Sequence, residues 1–442
     1  MEEGLTMKVA FIGAGSTVFV KNVVGDLILT RELGDFEVAL FDIDNERMND
    51  SKRLIEHLNK KYEGKANVKT YTNRKECLCG ADFVINAIQV GGYKPCTVTD
   101  FEVPKKHNLR QTIGDTLGIG GIFRALRTLP VLDSFAEDID EVCPNALFLN
   151  YVNPMAILTG YMQRFTPVKT IGLCHSVQVC VPNLLDTLGI WDETKKFKYE
   201  IAGINHQAWL LNIFDENGND LYPTIKRLSK EKWNEQKMEW DLVRHEIMHQ
   251  FGYYVTESSV HSAEYFPYFI KEKYPELLEK YKISLDEYPR RCELQIKEWG
   301  EIRDKLIEEG DVEHKRSIEY SANIIKSIYT DTPYKINANV INKGLITNLP
   351  SNACVEVPCL VDRAGIHPCY VGDLPEQLAA LNRTNINPQL LTIEAYRSKK
   401  KEDIYRAVYL DPHTSAELSM DDIRAVVDDL IEAHGEWLPK FN

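Results

Sequence analysis

The chain has ten cysteines but no Cys-x-x-Cys pair, no apolar run approaching the ~18–20 residues of a membrane span, no internal repeat and no Gly/Ser-rich linker. Each absence removes a class. Unpaired cysteine spacing leaves no zinc-ribbon or thioredoxin signature, and the lack of repeats leaves no solenoid. Basic charge is also scarce: 52 Lys+Arg against 66 Asp+Glu give a net charge of −14. Such a surface repels phosphate backbones and anionic lipid, so neither nucleic acid nor membrane is expected as a partner. Met1 to Thr6 is short and acidic, and the run Met7 to Gly13 leads into a glycine turn instead of a cleavage site. No secretory signal is read there, and Met7 is an alternative start. The thiols then read as reduced, mostly buried side chains of a cytoplasmic protein.

What is present is apolar material in two rhythms. With 442 residues, 44% of them hydrophobic, the chain can fill more than one core. Up to about Pro182, short β-branched runs alternate with amphipathic ones. Strands are predicted at Val9–Ile12, Val38–Phe41, Val68–Tyr71, Asp82–Ala87, Ala146–Asn150 and Thr170–Leu173. Helices are predicted at about Val18–Leu33, Asn45–Lys61, Gly120–Val142 and Pro154–Phe165. This alternation predicts an α/β fold with a Rossmann-like doubly wound parallel sheet over residues 1–195. The remainder, 196–442, reads as an α+β substrate lobe with a helical C-terminus, as in lactate and malate dehydrogenases. It opens with Lys198–Ile213, which alternates with period two in its first part. Helical stretches follow at about Lys230–Gly252 and Leu285–Gly310, then strands at Ile336–Asn342 and Ala353–Cys359, and helix from about Leu374. Ser419 with Asp422 three positions on predicts an N-cap for the last helix.

Three motifs could carry chemistry. Gly13-Ala14-Gly15-Ser16-Thr17 joins a strand to a helix, where glycines let the backbone approach a pyrophosphate on the helix N-terminus. Val18 stands where the usual pattern has its third glycine. Asp42, at the end of the next strand, can take ribose hydroxyls and would repel a 2′-phosphate, so NAD is expected over NADP. His245-Glu246-Ile247-Met248-His249 matches the zinc-protease pattern, but lacks the third histidine of the extended form and reads as a solvated helix face with incidental histidines. Cys174 and His175 follow the sixth strand, and His206 closes Gly203-Ile204-Asn205-His206. One thiolate and one imidazole suit a divalent transition metal, and a buried thiol with a core histidine fits the same spacing. Asn150 and Asn153 end the fifth strand, where they could cap a helix or bind hydroxyls.

Together with Gly91-Gly92-Tyr93, Thr97 to Glu102, Val255-Thr256-Glu257-Ser258-Ser259, Glu264-Tyr265, Leu285 to Pro289 and Thr384 to Asn387, these motifs closely resemble glycoside hydrolase family 4 nearly end to end, and within it the α-galactosidase (melibiase) branch. That family is an exception to two-carboxylate glycoside hydrolysis. The resemblance implies NAD and Mn2+ as cofactors, with Gly13, Gly15, Ser16, Thr17 and Asp42 on the NAD and Cys174 and His206 on the metal. It implies oxidation at C3 of the sugar, loss of the C2 proton to a base at Tyr265, elimination of the C1 substituent, water addition and return of the hydride. A nearby metal and cationic groups are expected to favour the anionic phenol. His175 and Asp115 are the alternatives for the acid. Asn150, Asn153 and Arg291, with Arg290 as substitute for Arg291, are the implied sugar contacts, and the loop Gly91 to Gly121 is expected to close over the site. The implied substrates are α-galactosides of the melibiose or raffinose type. α-Galacturonides or α-glucosides are the nearest rivals, and a net NAD-dependent dehydrogenase or an NAD sensor are the readings from other classes. A homodimer or homotetramer is implied.

Overall fold

Alternate residues of each central strand enter different cores, and this decides the layering. Val9 and Phe11 pack into one buried cluster with Val38 and Leu40, while Ala10, Ile12 and Ala39 join another on the opposite face. A sheet buried on both faces must be covered by helices on both. In the computed structural model, which describes residues 7–238 and 240–442, this is the arrangement. The start-site reading at Met1 to Thr6 lies outside the described residues.

The strands are β1 (Met7–Ile12), β2 (Phe36–Phe41), β3 (Ala66–Tyr71), β4 (Phe83–Asn86), β5 (Leu147–Asn150), β6 (Lys169–Gly172), β7 (Lys198–Ile204), β8 (Gln207–Phe214), β9 (Tyr254–Val255), β10 (Tyr334–Ile341), β11 (Cys354–Asp362) and β12 (Gly365–Pro368). The first six are parallel in the order β3-β2-β1-β4-β5-β6, the doubly wound arrangement whose ligand crevice lies beyond the carboxyl ends of the strands. The sheet then continues, antiparallel, through β10, β11, β7, β8 and β9. Its two seams are narrow: β6 meets β10 only at Gly172↔Asn339, and β11 meets β7 only at Glu356↔Gly203. The alternating stretch from Lys198 forms the β7–β8 hairpin.

Several elements depart from expectation. The first helix, Thr17–Ile28, stops five residues early; the Thr30 hydroxyl bonds the Asp26 carbonyl, and a short 3-10 turn, Arg31–Leu33, follows. The stretch predicted at 230–252, which contains the undescribed residue 239, is two helices, Tyr222–Asn234 and Leu242–Phe251, with Gln236 and Asp241 at positive φ between them. The second is not a solvated face. His245 is fully buried, and the Ser229 hydroxyl lies 2.8 Å from both His245 Nδ1 and His249 Nε2. Burial lowers the His245 pKa to about 4, so these histidines are structural. Part of the segment expected as a loop over the site is helix, Val98–Lys106. Most of the cysteines are buried, as expected, with Cys79 and Cys369 exposed, and all ten are free. The last helix, Met420–His434, begins with the Ser419–Asp422 capping box.

That last helix is locked to the nucleotide half by a buried ion cluster. Arg127, on the helix Gly118–Val142, grips Asp100 with Nη1 at 3.0 Å and Nη2 at 2.5 Å, and His434 Nε2 lies 2.9 Å from the same carboxylate. Arg127→Ala strands that buried carboxylate, and the expected loss is about 3–5 kcal/mol of unfolding free energy. Urea titration measures it; a loss below about 1 kcal/mol would mean that water solvates Asp100.

Candidate active site

Three donors of different softness converge beyond the strand ends. Cys174 lies two residues after β6, His206 at the tip of the β7–β8 hairpin, and Glu257 two residues after β9. Their donor atoms all fall within 4.8 Å of one another. Cys174 Sγ is 3.4 Å from His206 Nε2, which is 3.7 Å from Glu257 Oε2. The hairpin turns through Asn205-His206 alone, which puts His206 at φ +65°, and Glu257 sits at φ +32°. Two non-glycine residues held in the left-handed region at one site mark a geometry that the surroundings impose. The buried Asn205 lies beside them, its side chain within reach of Glu356. A thiol, an imidazole and a carboxylate fit a divalent transition metal. In the protein alone, burial raises the Cys174 pKa, with Glu356 and Glu257 adding to the shift. Burial would also raise that of Glu257, but the His261 and His206 imidazoles and the Ser258 N–H outweigh it and hold the carboxylate well below its usual range. Glu257 was not singled out from the sequence as a ligand, although it lies in the quoted segment Val255 to Ser259.

The helix Ser259–Tyr265 presents three further groups, of which only Tyr265 was expected. The Tyr265 hydroxyl is buried 2.9 Å from His206 Nδ1. Burial, then the charges of Asp115, Glu264 and Glu257, hold its pKa well above the usual phenol value. In the protein alone the charges that act most on this phenol are carboxylates, partly offset by a hydrogen bond with Thr116. His261 stacks edge-on against His206 at 5.0 Å between ring centres, with Nδ1 2.8 Å from Ser258 Oγ. Glu264 accepts the backbone N–H groups of Thr112 (2.9 Å), Ile113 (3.2 Å) and Gly114 (2.8 Å). Burial lifts its pKa to about 7 even against those three donors.

The loop so held delivers Asp115. Its Oδ1 accepts from Thr116 Oγ1 at 2.7 Å and its Oδ2 from Asn153 Nδ2 at 3.2 Å. Burial opposes ionisation, but Arg124, His261, His206 and Thr116 together bring its pKa below the usual carboxylate value. Asp115 is thus surrounded by groups that favour its charged form, which suits it less than His175 to the part of proton donor. His175, the other alternative, caps the helix Ser176–Leu188, is exposed, and lies 3.7 Å from Glu319 Oε1. Asn153 Oδ1 is buried without a hydrogen-bond partner. Asn150 is different: its Oδ1 accepts from Asn86 Nδ2 (3.0 Å) and Val152 N–H, and its Nδ2 serves Val152 O and Thr159 Oγ1. Its amide is spent on joining β4 to β5, which corrects it as a sugar contact. Arg290 and Arg291 share one carboxylate, Glu287; Arg290 holds it with two nitrogens, Arg291 with Nε alone at 2.7 Å. Arg124, buried beside Asn153, was missed because nothing in its sequence neighbourhood distinguishes it from a helix-surface cation.

At the other end of the crevice, Gly13 has φ +86°, and a Cβ there would lie 2.6 Å from the Ala87 carbonyl carbon. Only glycine fits. Gly15 N–H donates to Asp42 Oδ2 at 2.6 Å, and Asp44 N–H to Oδ1 at 2.9 Å, so Asp42 is fixed at the lip of the turn. Ser16 gives the following helix no side-chain cap, which leaves its first-turn N–H groups for an anion. The arrangement fits a dinucleotide. The Thr17 side chain is buried, with its hydroxyl between Gly15 O and Ser51 Oγ, so it braces the turn from within and only its main chain can serve a ligand.

A thiol that must ionise to ligate makes ion uptake release a proton. The affinity for Mn2+ is expected to rise about tenfold per pH unit between pH 6 and 8. Competition against a fluorescent chelator reads it, and a flat profile would remove Cys174 from the ligand set.

Residues 8–190 match the model of the Family 4 glycosyl hydrolase, and residues 201–414 that of the Family 4 glycosyl hydrolase C-terminal domain. An alpha-galactosidase of Bacillus subtilis is 57% identical over 434 residues, spanning 98% of this chain and 99% of its own. One of Rhizobium meliloti is 31% identical over 99% of this chain and 90% of its own. In fold, the chain superposes with TM-score 0.80 on a 6-phospho-alpha-glucosidase from gut microorganisms solved in complex with NAD and Mn2+, at 21% identity and covering 99% and 100% of the two chains. The chain therefore belongs to family 4 of the glycosyl hydrolases.

Proposed function

We propose that the chain is an α-galactosidase that releases terminal α-D-galactose from melibiose- or raffinose-type substrates, with NAD+ and Mn2+ as its cofactors. The observation that carries the reading is the 57% identity to an alpha-galactosidase along the whole of both chains. Supporting it are the thiol, imidazole and carboxylate cluster and the uncapped glycine turn, each chemically suited to one of the two groups. The same reading places the enzyme in the cytoplasm as a homodimer or homotetramer, with its lobes divided near residue 195.

Cys174, His206 and Glu257 would hold the ion, and Gly13, Gly15, Ser16 and Asp42 the dinucleotide. When bound, these groups supply a Lewis acid and a hydride acceptor for oxidation at C3 of the sugar. The work of the chain's own residues is proton management. Were Nε2 of His206 to hold the ion, its Nδ1 would carry the hydrogen and donate to the Tyr265 oxygen 2.9 Å away. A donor there favours the phenolate, against the carboxylates that hold the phenol neutral in the protein alone. Tyr265 then accepts the C2 proton. His175, at the exposed mouth beside Glu319, gives a proton to the departing glycosidic oxygen. Asn153 and Arg291 orient the sugar hydroxyls.

Hydrolysis of nitrophenyl α-galactoside, α-galacturonide and α-glucoside, with and without NAD+, Mn2+ and thiol reductant, tests the assignment. Activity should be highest on the galactoside and need all three additions; activity that survives without both NAD+ and metal overturns it. Tyr265→Phe should lower kcat by about 10²–10⁴. For His175→Gln, turnover of raffinose should fall by about 10² or more, and that of a nitrophenyl galactoside far less, because nitrophenolate leaves without a proton. Equal losses on the two substrates would deny His175 the acid role.

A further inference from the structure

A helix remote in sequence closes on the reacting centre. Asn382 and Asn385 stand three residues apart on the helix Glu376–Ser398, hence on one face of it, and both are fully buried. Asn385 Nδ2 donates to the Tyr265 carbonyl at 3.1 Å and to Gln207 Oε1 at 3.0 Å. Asn382 Nδ2 donates to the Gln207 carbonyl at 2.7 Å and to the same Oε1 at 3.2 Å, while its Oδ1 accepts from Trp209 Nε1 at 3.2 Å. A carbonyl can only accept and an indole N–H can only donate, so these partners fix which way each amide points. Tyr265 ends the helix Ser259–Tyr265, where carbonyls lack intrahelical partners, and Gln207 directly follows His206. The Tyr265 hydroxyl lies 2.9 Å from His206 Nδ1. Tyr265 is therefore tied to the His206–Gln207 pair at both ends, by its hydroxyl to the imidazole and by its carbonyl, through Asn385, to the next side chain.

We propose that Asn385 is a positioning residue for removal of the C2 proton, holding Tyr265 and His206 at one fixed separation. This rests on the glycosidase reading above and deepens it: the base is assigned there, and Asn385 is the group that aims it. A tyrosine at the end of a short helix can swing as that end frays, whereas a closed circuit of contacts through Asn385, Gln207 and His206 removes the freedom. The accuracy matters, because a misplacement of about 1 Å costs on the order of 10² in rate. Asn382 shares the helix, the face and the burial, but bonds Gln207 and Trp209 and leaves Tyr265 to Asn385. It separates the aiming of the base from the mere filling of a buried polar position.

Asn385→Ala and Asn382→Ala test it with two readouts. In the metal-free protein the nitrogen-15 NMR signal of His206 Nδ1, identified by its absence from His206→Gln, reports the bond to Tyr265. It should move in Asn385→Ala toward its position in Tyr265→Phe, and stay near the wild-type position in Asn382→Ala. On enzyme loaded with NAD+ and Mn2+, Asn385→Ala should lower kcat for nitrophenyl α-galactoside by about 10–10² with KM little changed. The isotope effect of deuterium at C2 should rise and that of deuterium at C3 should fall, because the proton step has become the slower one. A general loosening of the structure would instead raise KM and leave the two isotope effects in their wild-type ratio. An unmoved nitrogen signal, or an isotope pattern that Asn382→Ala reproduces, overturns the proposal. Should thermal melting show that Asn385→Ala does not fold, Asn385→Asp keeps the volume, removes both N–H donors and should give the same two results. Failure of the wild type to cleave the galactoside overturns the functional reading instead, and the nitrogen signal still decides the role of Asn385.

Discussion

Everything around the reacting centre depends on one buried carboxylate that is neither a donor to substrate nor a ligand. Glu264 sits next to Tyr265 in sequence and closes three backbone N–H groups of residues 112–114 with its two oxygens. It thereby fastens the short helix that carries His261 and Tyr265 to the loop that carries Asp115 and Thr116. The loop would otherwise bury three unpaired amides, each a cost of about 1–3 kcal/mol. This also ties the two halves of the sequence together where the chemistry happens, since residue 264 belongs to the second half and residues 112–114 to the first.

A second tie runs along the nucleotide side. Asp26, buried in the first helix, accepts from the Ser317 N–H at 2.8 Å and from the Ser317 hydroxyl, and lies 2.8 Å from His314 Nε2. Gly25 makes room for that imidazole; a Cβ there would lie 2.7 Å from it. The segment so held carries Glu319, the partner of His175. The Thr17–Ile28 helix, whose first turn is uncapped, thus also fixes the surroundings of the proposed proton donor, through packing and hydrogen bonds.

The parallel half of the sheet was legible because its strands are buried on both faces and so read as continuous apolar runs between helices of ordinary length. The glycine turn, Asp42, Cys174, His206 and Tyr265 were legible because residue type and place in a strand–turn–helix rhythm, or in a family motif, coincide. Glu257 was not, since its position depends on a bend at positive φ that no composition signals. Asn150 and Asn153 look alike in sequence, three residues apart at a strand end. Only the partners of each amide separate the one that is satisfied within the protein from the one that has an oxygen to spare. The helix Leu242–Phe251 misled for the opposite reason: the charged residues before it suggested solvent, yet Val243, Arg244, His245, Ile247 and Met248 all face inward.

The two narrow seams of the sheet fall on one transverse row, Gly172–Asn339–Glu356–Gly203. Cys174 lies two residues beyond one end of that row, and His206 three residues beyond the other. A slip of one residue at either seam would displace a donor by about 3.3 Å and turn its side chain to the other face. The apolar residues of β10 and β11, buried almost throughout, would register such a slip only weakly. The donor cluster is thus a vernier for the sheet: Cys174 and His206 come within reach of one another only where both seams pair in register.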